Sequence, residues 1–247
     1  MRQWWYRDHQ WLGRFVEWRG NLIRLDGCLF DVSHPQISTA LRGRLLRGRY
    51  ERSERGILEQ RLDPFAPVIE LGGGIGVVAT LVNRRLRDPA SHVVVEANAS
   101  LIPVLERQRH LNGARFTIEH AAIAYENGPV SFDVGAEFIS GRIAGGRTGA
   151  PVPATTLASV LERHPWTGVT LICDIEGAET ALVEREIDVL RAHVMTIVME
   201  VHPALCAPDA YQALFARLTA GGFVEVARVR KVHAFQRRDQ PDHSGAD

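Results

Sequence analysis

Apolar and polar positions change period repeatedly along the second half of this 247-residue chain. Short apolar runs, typical of buried strands, alternate with stretches that carry apolar residues at helical spacing. The pattern predicts strands at 68–71, 92–97, 115–121, 169–175 and 194–201, and helices after the first strand and at 100–111, 178–191 and 209–220. Such alternation predicts βαβ units and a mainly parallel sheet covered on both faces.

The chain ends this rhythm with two strands, FVEVARV and KVHAFQR, where a dinucleotide-binding sheet would continue with a crossover helix. Because only a few residues join them, the last strand is expected to run antiparallel at or near the sheet edge. This is the arrangement of a class I methyltransferase sheet. The predicted fold class is therefore α/β, with a Rossmann-like, mainly parallel sheet and an antiparallel C-terminal strand.

The N-terminal part precedes this rhythm. Residues 15–32 are β-prone runs separated by RGN and DG, which predicts a β-hairpin. Residues 36–62 are rich in arginine and predict one or two helices that end before Asp63-Pro64. We therefore expect an N-terminal β and helical extension at 1–63 and a cofactor-binding domain at 64–237.

Two further segments lack an apolar period. Residues 135–153 are rich in glycine and are expected to form a long mobile loop, of a length often found in active-site lids. Residues 238–247 are polar and are expected to be a disordered tail.

A glycine-rich turn follows the first strand of the sheet. Its pattern is E-x-G-x-G-x-G, formed by Glu70, Gly72, Gly74 and Gly76. A dinucleotide G-x-G-x-x-G is absent, because Val77 and Ala79 occupy the positions of its last glycine. Backbone N–H groups at such a turn receive polar ligand groups, and a carboxylate at Glu70 suits an ammonium or hydroxyls. S-adenosylmethionine offers both.

The second strand ends at Glu96, about 20 residues after the turn, the interval at which an acid reaches ribose hydroxyls. NAD would use the same acid, so Glu96 alone does not discriminate. The glycine spacing and the antiparallel ending together favour S-adenosylmethionine. A plain structural turn is the alternative, but three alternate glycines cost stability that a plain turn does not require.

Acidic residues and one histidine follow two neighbouring strands. Asp174, Glu176 and Glu179 follow the fourth parallel strand, and Glu200 and His202 follow the next. A charge at a helix start accounts for Glu179, but it explains Asp174 poorly. Neighbouring strands lie about 5 Å apart, so Asp174, Glu176, Glu200 and His202 are expected to face one cleft. His202 could be a general base or a capping and packing residue.

A divalent metal is a further alternative for this cleft. Clustered carboxylates with one histidine can bind Mg²⁺ or a similar cation. The spacing does not require a metal, and we assign no residue as a metal ligand from the sequence.

The amino-acid composition limits the classes of partner that this protein is expected to bind. Lys+Arg and Asp+Glu number 29 each, so no excess of positive charge indicates nucleic acid or an anionic membrane. The three cysteines are far apart and lack C-x-x-C spacing, which argues against a disulfide framework or a zinc site. The N-terminus builds no apolar signal core. We expect a cytoplasmic protein without nucleic-acid or membrane partners.

Two local features keep alternatives open. The arginine-rich segment 42–61 could bind an anionic carrier or a phosphorylated substrate, but a solvated helix face with glutamate partners is the simpler interpretation. An aromatic cluster could dock onto the core, the commonest case, line an acceptor pocket or form a homodimer contact. Its members are Trp4, Trp5, Tyr6, Trp11 and Trp18.

The motifs resemble the FkbM family of S-adenosylmethionine-dependent methyltransferases over about residues 48–202. The matching stretches are GRYERSE, VIELGGGIG, VVVEANAS, PATTLASVL, DIEGAE and MEVHP. The D-x-E-G-x-E signature followed by E-x-H-P is the specific part. Two positions depart from the family: Gly72-Gly73-Gly74 stands where G-A-N is common, and Ile172 where a lysine is common.

The resemblance implies site residues. Those expected to hold the cofactor are Glu70, Gly72, Gly74, Gly76, Glu96 and Asn98. Those expected to line the acceptor site are Asp174, Glu176, Glu200 and His202, with Tyr50 and Glu54 closing over it. His202 is the favoured base, with Asp174 orienting the acceptor for in-line methyl transfer.

The resemblance also implies methyl transfer to a hydroxyl of a small-molecule natural product or sugar. N-methylation of a side-chain amide in a ribosomal peptide is the alternative within the family, so the acceptor is a small molecule or a peptide. Outside it, a non-catalytic S-adenosylmethionine-binding module and a nucleic-acid methyltransferase stay open. A nicotinamide-dependent reductase is disfavoured by Val77 and by the absence of a Tyr-x-x-x-Lys pair.

Overall fold

The computed structural model describes residues 2–126, 128–133, 142–143 and 150–238. Its helices are α1 Arg2–Trp18, α2 Thr39–Leu46, α3 Arg52–Arg61, α4 Val77–Asn83, α5 Ile102–Leu111, α6 Leu157–Arg163, α7 Glu179–His193 and α8 Pro208–Ala220. Its strands are β1 Leu22–Leu25, β2 Cys28–Asp31, β3 Val68–Leu71, β4 His92–Glu96, β5 Thr117–His120, β6 Ala122–Ile123, β7 Val130–Asp133, β8 Arg142–Ile143, β9 Ala150–Val152, β10 Ala154–Thr155, β11 Val169–Cys173, β12 Val194–Glu200, β13 Phe223–Val229 and β14 Val232–Arg237. Within the described ranges, no helix is both long and apolar enough to cross a bilayer.

A seven-stranded sheet forms the centre, in the order β13-β14-β12-β11-β3-β4-β5. The strands from β12 to β5 pair in parallel, and β14 runs antiparallel between β12 and β13. Every residue of β3, β4 and β11 is buried, as expected for central strands covered by helices on both faces. The predicted Rossmann-like sheet with an antiparallel C-terminal strand is confirmed, and the last strand lies one place from the edge.

The N-terminal prediction is partly wrong. Residues 15–18, expected to be β, belong to α1, and Arg19-Gly20-Asn21 ends that helix and is not a hairpin turn. The hairpin itself is confirmed: β1 and β2 pair antiparallel around Asp26-Gly27. Both turn residues have positive φ, as a tight two-residue turn requires. The two helices expected in 36–62 are α2 and α3.

The aromatic cluster does not dock onto the core where it is described. Trp11 and Trp18 are 70% and 78% exposed, so the core-docking prediction is wrong for these two. The side chains of Trp4, Trp5 and Tyr6 lie outside the described part of the chain. The arginine-rich segment is also not wholly solvated, because Arg42 is buried, donates to the Val32 carbonyl at 2.8 Å and pairs with Glu17.

Part of the expected loop at 135–153 is ordered into strands. β8 and β9 pair antiparallel with β7 in a small separate sheet, and β10 pairs in parallel with β6. Residues 134–141 and 144–149 lie outside the described ranges, as does 239–247 of the expected tail, so the lid and the disordered tail stay predictions.

Candidate functional site

A cavity of about 1160 Å³ opens at the carboxyl ends of β3, β4, β11 and β12. Ligands of open α/β sheets bind at this edge, where the strand order reverses. The predicted site residues that line it are Gly72, Gly74, Glu96, Asp174, Glu176, Glu200, His202, Tyr50 and Glu54. The predicted residues Glu70, Gly76 and Asn98 are not among its lining.

The glycine turn brings the ends of β3 and β11 together. Gly72 has φ +91°, and a Cβ on it would lie 1.8 Å from the carbonyl oxygen of Asp174. The backbone N–H of Asp174 donates to the carbonyl of Leu71 at 2.9 Å. Any side chain at Gly72 would therefore displace the strand end that carries Asp174. Gly74 faces the cavity, whereas a Cβ on Gly76 would meet Leu105 of α5 at 2.9 Å, so Gly76 serves helix packing.

Glu96 lies at the rim of the cavity, held by the turn. Its carboxylate accepts hydrogen bonds from the N–H of Gly74 at 2.8 Å and of Asn98 at 2.7 Å. Burial raises the pKa of Glu96, while these backbone donors counteract the shift. Asn98 is buried and caps the following turn by accepting from the N–H of Ser100 at 3.1 Å. Asn98 thus positions the loop and does not reach the cavity.

Glu70 lies beneath the turn and not in the cavity. Its register partners in β11 and β4 are Ile172 and Val94, so its side chain points to the same sheet face as theirs, under α4. It is 2% exposed, and its Oε2 lies 3.5 Å from Nε2 of His92 without a hydrogen bond. Burial raises its pKa well above the usual range. The prediction that Glu70 contacts a ligand directly is not supported by this position.

His202 is the centre of the acidic cluster. Its Nε2 lies 3.7 Å from Oδ1 of Asp174, 3.4 Å from Oε2 of Glu176 and 3.5 Å from Oε1 of Glu200. Its side chain is 9% exposed. The structure therefore brings together all four residues predicted to line the acceptor site.

Glu179 belongs to the same cluster, contrary to its interpretation as a simple helix-start charge. It is 1% exposed, and its carboxylate accepts from the N–H groups of Ile175 at 3.2 Å and Gly177 at 3.0 Å. Its Oε1 also lies 3.1 Å from Nδ1 of His202. Glu179 therefore fixes both the loop after β11 and the orientation of the imidazole. The sequence feature that could have identified Glu179 as a site residue is its place as the last position of the D-x-E-G-x-E motif.

The cluster changes the protonation of its members. Burial alone would lower the pKa of His202, but the hydrogen bond to Glu179 and the neighbouring carboxylates raise it to about 9. Burial, together with the charge of Glu200, raises the pKa of Asp174 well above its usual range, and burial also raises that of Glu176. His202 thus holds its second proton at neutral pH and is a poor proton acceptor there.

Residues of the N-terminal extension also line the cavity. Burial and a hydrogen bond with Glu200 raise the pKa of Glu54 to about 8. Burial raises the pKa of Glu51 to about 7, despite a hydrogen bond from Tyr50. Glu51 was not singled out from the sequence, although it lies in the YExxE stretch that was. It takes a left-handed conformation with φ +48°, directly before α3.

The lining fits S-adenosylmethionine in its donor set. Gly74 puts no side chain into the cavity at the turn, and Glu96 presents carboxylate oxygens suited to ribose hydroxyls. Leu101, Ala122 and Ile123 give an apolar wall for a purine ring. Ile172, in place of the lysine common in the family, is buried in the sheet and supplies no cation.

Comparisons with known proteins add general similarity only. Neither a protein-family model nor a curated protein matches the chain, so membership of the FkbM family stays a prediction. The ribosomal protein L11 methylase of Lactobacillus delbrueckii subsp. bulgaricus is 10% identical, with 74% of this chain and 76% of that one covered and a TM-score of 0.43. Fibrillarin of Aeropyrum pernix, solved with S-adenosyl-L-methionine, is 14% identical, with 72% and 68% covered and a TM-score of 0.41. At these values, the fold assignment depends on the strand order of the sheet.

Proposed function

We propose that this protein is an enzyme that transfers a methyl group from S-adenosylmethionine to a hydroxyl of a small-molecule acceptor. The proposal depends on one observation: a cofactor-binding part and an acceptor-binding part line the same cavity. The glycine turn and Glu96 form one half, and the cluster around His202 forms the other. The antiparallel β14 within the sheet supports a methyltransferase over a nicotinamide enzyme. The FkbM-like motifs favour a natural product or sugar as the acceptor.

The cofactor half would bind the cofactor mainly through Glu96. The Glu96 carboxylate would accept from ribose hydroxyls, Gly74 puts no side chain into the cavity, and Gly72 keeps the strand ends close. When bound, S-adenosylmethionine supplies an electrophilic methyl group on a positively charged sulfur. The carboxylates of Glu96 and of the cluster around His202 would favour that charge electrostatically.

The acceptor half would orient the hydroxyl and take its proton. The new O–CH₃ bond forms as the S–CH₃ bond breaks, its electron pair stays on sulfur, and the hydroxyl proton passes to a carboxylate. We assign this proton to Glu176, because the Glu200 carboxylate is already hydrogen-bonded with Glu54 and Oδ1 of Asp174 is enclosed. Glu176 faces the cavity with its side chain 25% exposed, and burial raises its pKa, which makes its carboxylate a stronger proton acceptor. This replaces His202 as the favoured base.

Isothermal calorimetry with S-adenosylmethionine and with NAD⁺ tests the first half. We expect binding of S-adenosylmethionine only, and at least about tenfold weaker binding by E96A, since a charged hydrogen-bond acceptor contributes about 1.5–3 kcal/mol. The matched control is E106A, an exposed glutamate of α5. E96Q, with a thermal melt, separates lost binding from lost folding.

Three results would argue against the proposal. Absence of S-adenosylmethionine binding at millimolar concentration would refute it outright. Binding of NAD⁺ would restore the nicotinamide alternative. Cofactor binding without transfer of a labelled methyl group to hydroxylated or amide acceptors would favour the non-catalytic module.

A further inference from the structure

The strongest unassigned feature is the set of oxygen and nitrogen atoms around Nε2 of His202. One ligand atom each from Asp174, Glu200 and His202 lies within 4.8 Å of the others. Two atoms bound about 2.1 Å from one ion lie at most about 4.2 Å apart. Small side-chain rotations would therefore bring the three atoms to coordination distance.

One buried oxygen in this set lacks a hydrogen bond: Oδ1 of Asp174 is enclosed and has no hydrogen-bond partner. The imidazole of His202 is about nine-tenths buried, and its Nε2 lies 3.4–3.7 Å from oxygens of Asp174, Glu176 and Glu200. Buried polar atoms are nearly always paired in native proteins. Three carboxylates around one buried nitrogen, with one of their oxygens unpaired, form a donor set that suits a bound cation.

The surroundings hold these ligands as metal ligands are usually held. Nδ1 of His202 donates to Glu179, so a metal ion would bind Nε2 by displacing the proton that this nitrogen otherwise carries. A carboxylate behind the other ring nitrogen is the usual arrangement of metal-binding histidines. Glu200 is in turn hydrogen-bonded with Glu54. Glu179 and Glu54 would thus position the ligands without binding the ion.

We propose that Asp174, Glu200 and His202 bind a divalent first-row transition metal ion. Carboxylates suit Mg²⁺ and Mn²⁺, whereas imidazole favours Mn²⁺ and the later metals over Mg²⁺, so we take Mn²⁺ as the probe. The remaining coordination positions face the cavity and are open to water or to an acceptor oxygen. A role in holding the acceptor rests on the proposed function, but the site itself does not.

Electron paramagnetic resonance of Mn²⁺ with the full chain, without cofactor, tests the site. We expect the free-ion signal to decrease on addition of protein, and D174N to weaken binding about tenfold or more. D188N, an exposed aspartate of α7, is the matched control and should bind as the wild type does. If D174N does not fold, E200Q against E106Q makes the same comparison.

A second readout identifies the histidine. Bound Mn²⁺ should show electron spin-echo modulation from a directly coordinated ¹⁴N nucleus, and H202Q should lose it. No binding at millimolar Mn²⁺, binding equal in D174N and D188N, or binding without ¹⁴N coupling would each overturn the proposal. Calorimetry with S-adenosylmethionine in metal-free buffer keeps this outcome separate from that of the proposed function.

Discussion

At the scale of single residues, the buried ionisable side chain of His92 makes the stability of this fold depend on pH. It is fully buried in β4, next to Phe116 and Asn83 and 3.5 Å from Glu70. Burial lowers its pKa to about 3, against 6.5 in the unfolded chain. Below pH 6.5, His92 binds a proton in the unfolded state but not in the folded state. The stability of the fold therefore decreases as the pH falls from 6.5 towards 3.

Replacing His92 by leucine should remove this part of the pH dependence. From pH 7 to pH 5, the free energy of unfolding of the wild type should fall by about 2 kcal/mol more than that of H92L. Urea unfolding at the two pH values measures the difference. H110L, at an exposed histidine of α5, should follow the wild type. An equal decrease in the wild type and H92L would show that His92 is not held neutral.

The positions of site residues could be predicted where the residue directly follows a strand. They could not be predicted where tertiary packing determines the direction of the side chain. Asp174, Glu200 and His202 lie together because they follow neighbouring parallel strands, which the sequence indicates. Glu70 is inside a strand, and only the register of that strand shows that it points under α4. Glu179 looked like a helix-start charge because its contact with His202 spans 23 residues of sequence.

At the scale of elements, α1 and α2 cross at two glycines. A Cβ on Gly13 would lie 1.8 Å from the carbonyl oxygen of Thr39, and a Cβ on Gly43 would lie 1.9 Å from that of His9. The two backbones are therefore in contact on both sides of the crossing. Such proximity is possible only because neither position carries a side chain.

This crossing reverses the usual effect of a glycine-to-alanine change in a helix. Alanine normally stabilises a helix interior by about 0.5–1 kcal/mol relative to glycine. In G43A, the clash with His9 should instead destabilise the protein by about 1–3 kcal/mol. G56A in α3, where a Cβ would meet nothing within 4 Å, should show the normal gain. Urea unfolding of both variants is the test, and a stabilised G43A would contradict the crossing.

The elements of the sheet were predictable and α1 was not. The strands and helices predicted from residue 68 onward have clear periods, and their chain order largely determines the sheet, whereas α6 and the short strands β6 to β10 were not predicted. In α1, aromatic and β-branched residues at 15–18 have high strand propensity, and packing of Val16 and Gly13 against the rest of the extension overrides it. Tertiary contacts of this kind leave no local pattern.

At the scale of the whole molecule, the extension and the sheet share one apolar core and one cavity. Phe30 and Leu45 of the extension belong to the same buried cluster as Ile75, Val77 and Leu101 beside the glycine turn. Tyr50 and Glu54 line the same cavity as Asp174. The sequence suggested a boundary at residue 63, but it could not show these contacts, because they join distant parts of the chain.

This shared core predicts one cooperative unfolding transition, and two cysteines allow its measurement. Cys28 in β2 and Cys173 in β11 are buried and unpaired, one in the extension and one in the central sheet. Pulsed thiol labelling across a urea series, read peptide by peptide, should give the same midpoint for both. Cys206, only partly buried, labels earlier and serves as the internal reference for accessibility.

The cofactor should then stabilise the extension and the central sheet equally, because the two unfold together. At 100 times its dissociation constant, S-adenosylmethionine should raise the free energy of unfolding by about 2.7 kcal/mol. The Cys28 and Cys173 midpoints should shift by the same amount, and at the same cofactor concentration E96A should show about half of this stabilisation or less at both cysteines. Separate midpoints, or a shift confined to Cys173, would mean that residues 1–63 fold independently and that Tyr50 and Glu54 are only loosely attached to the cavity.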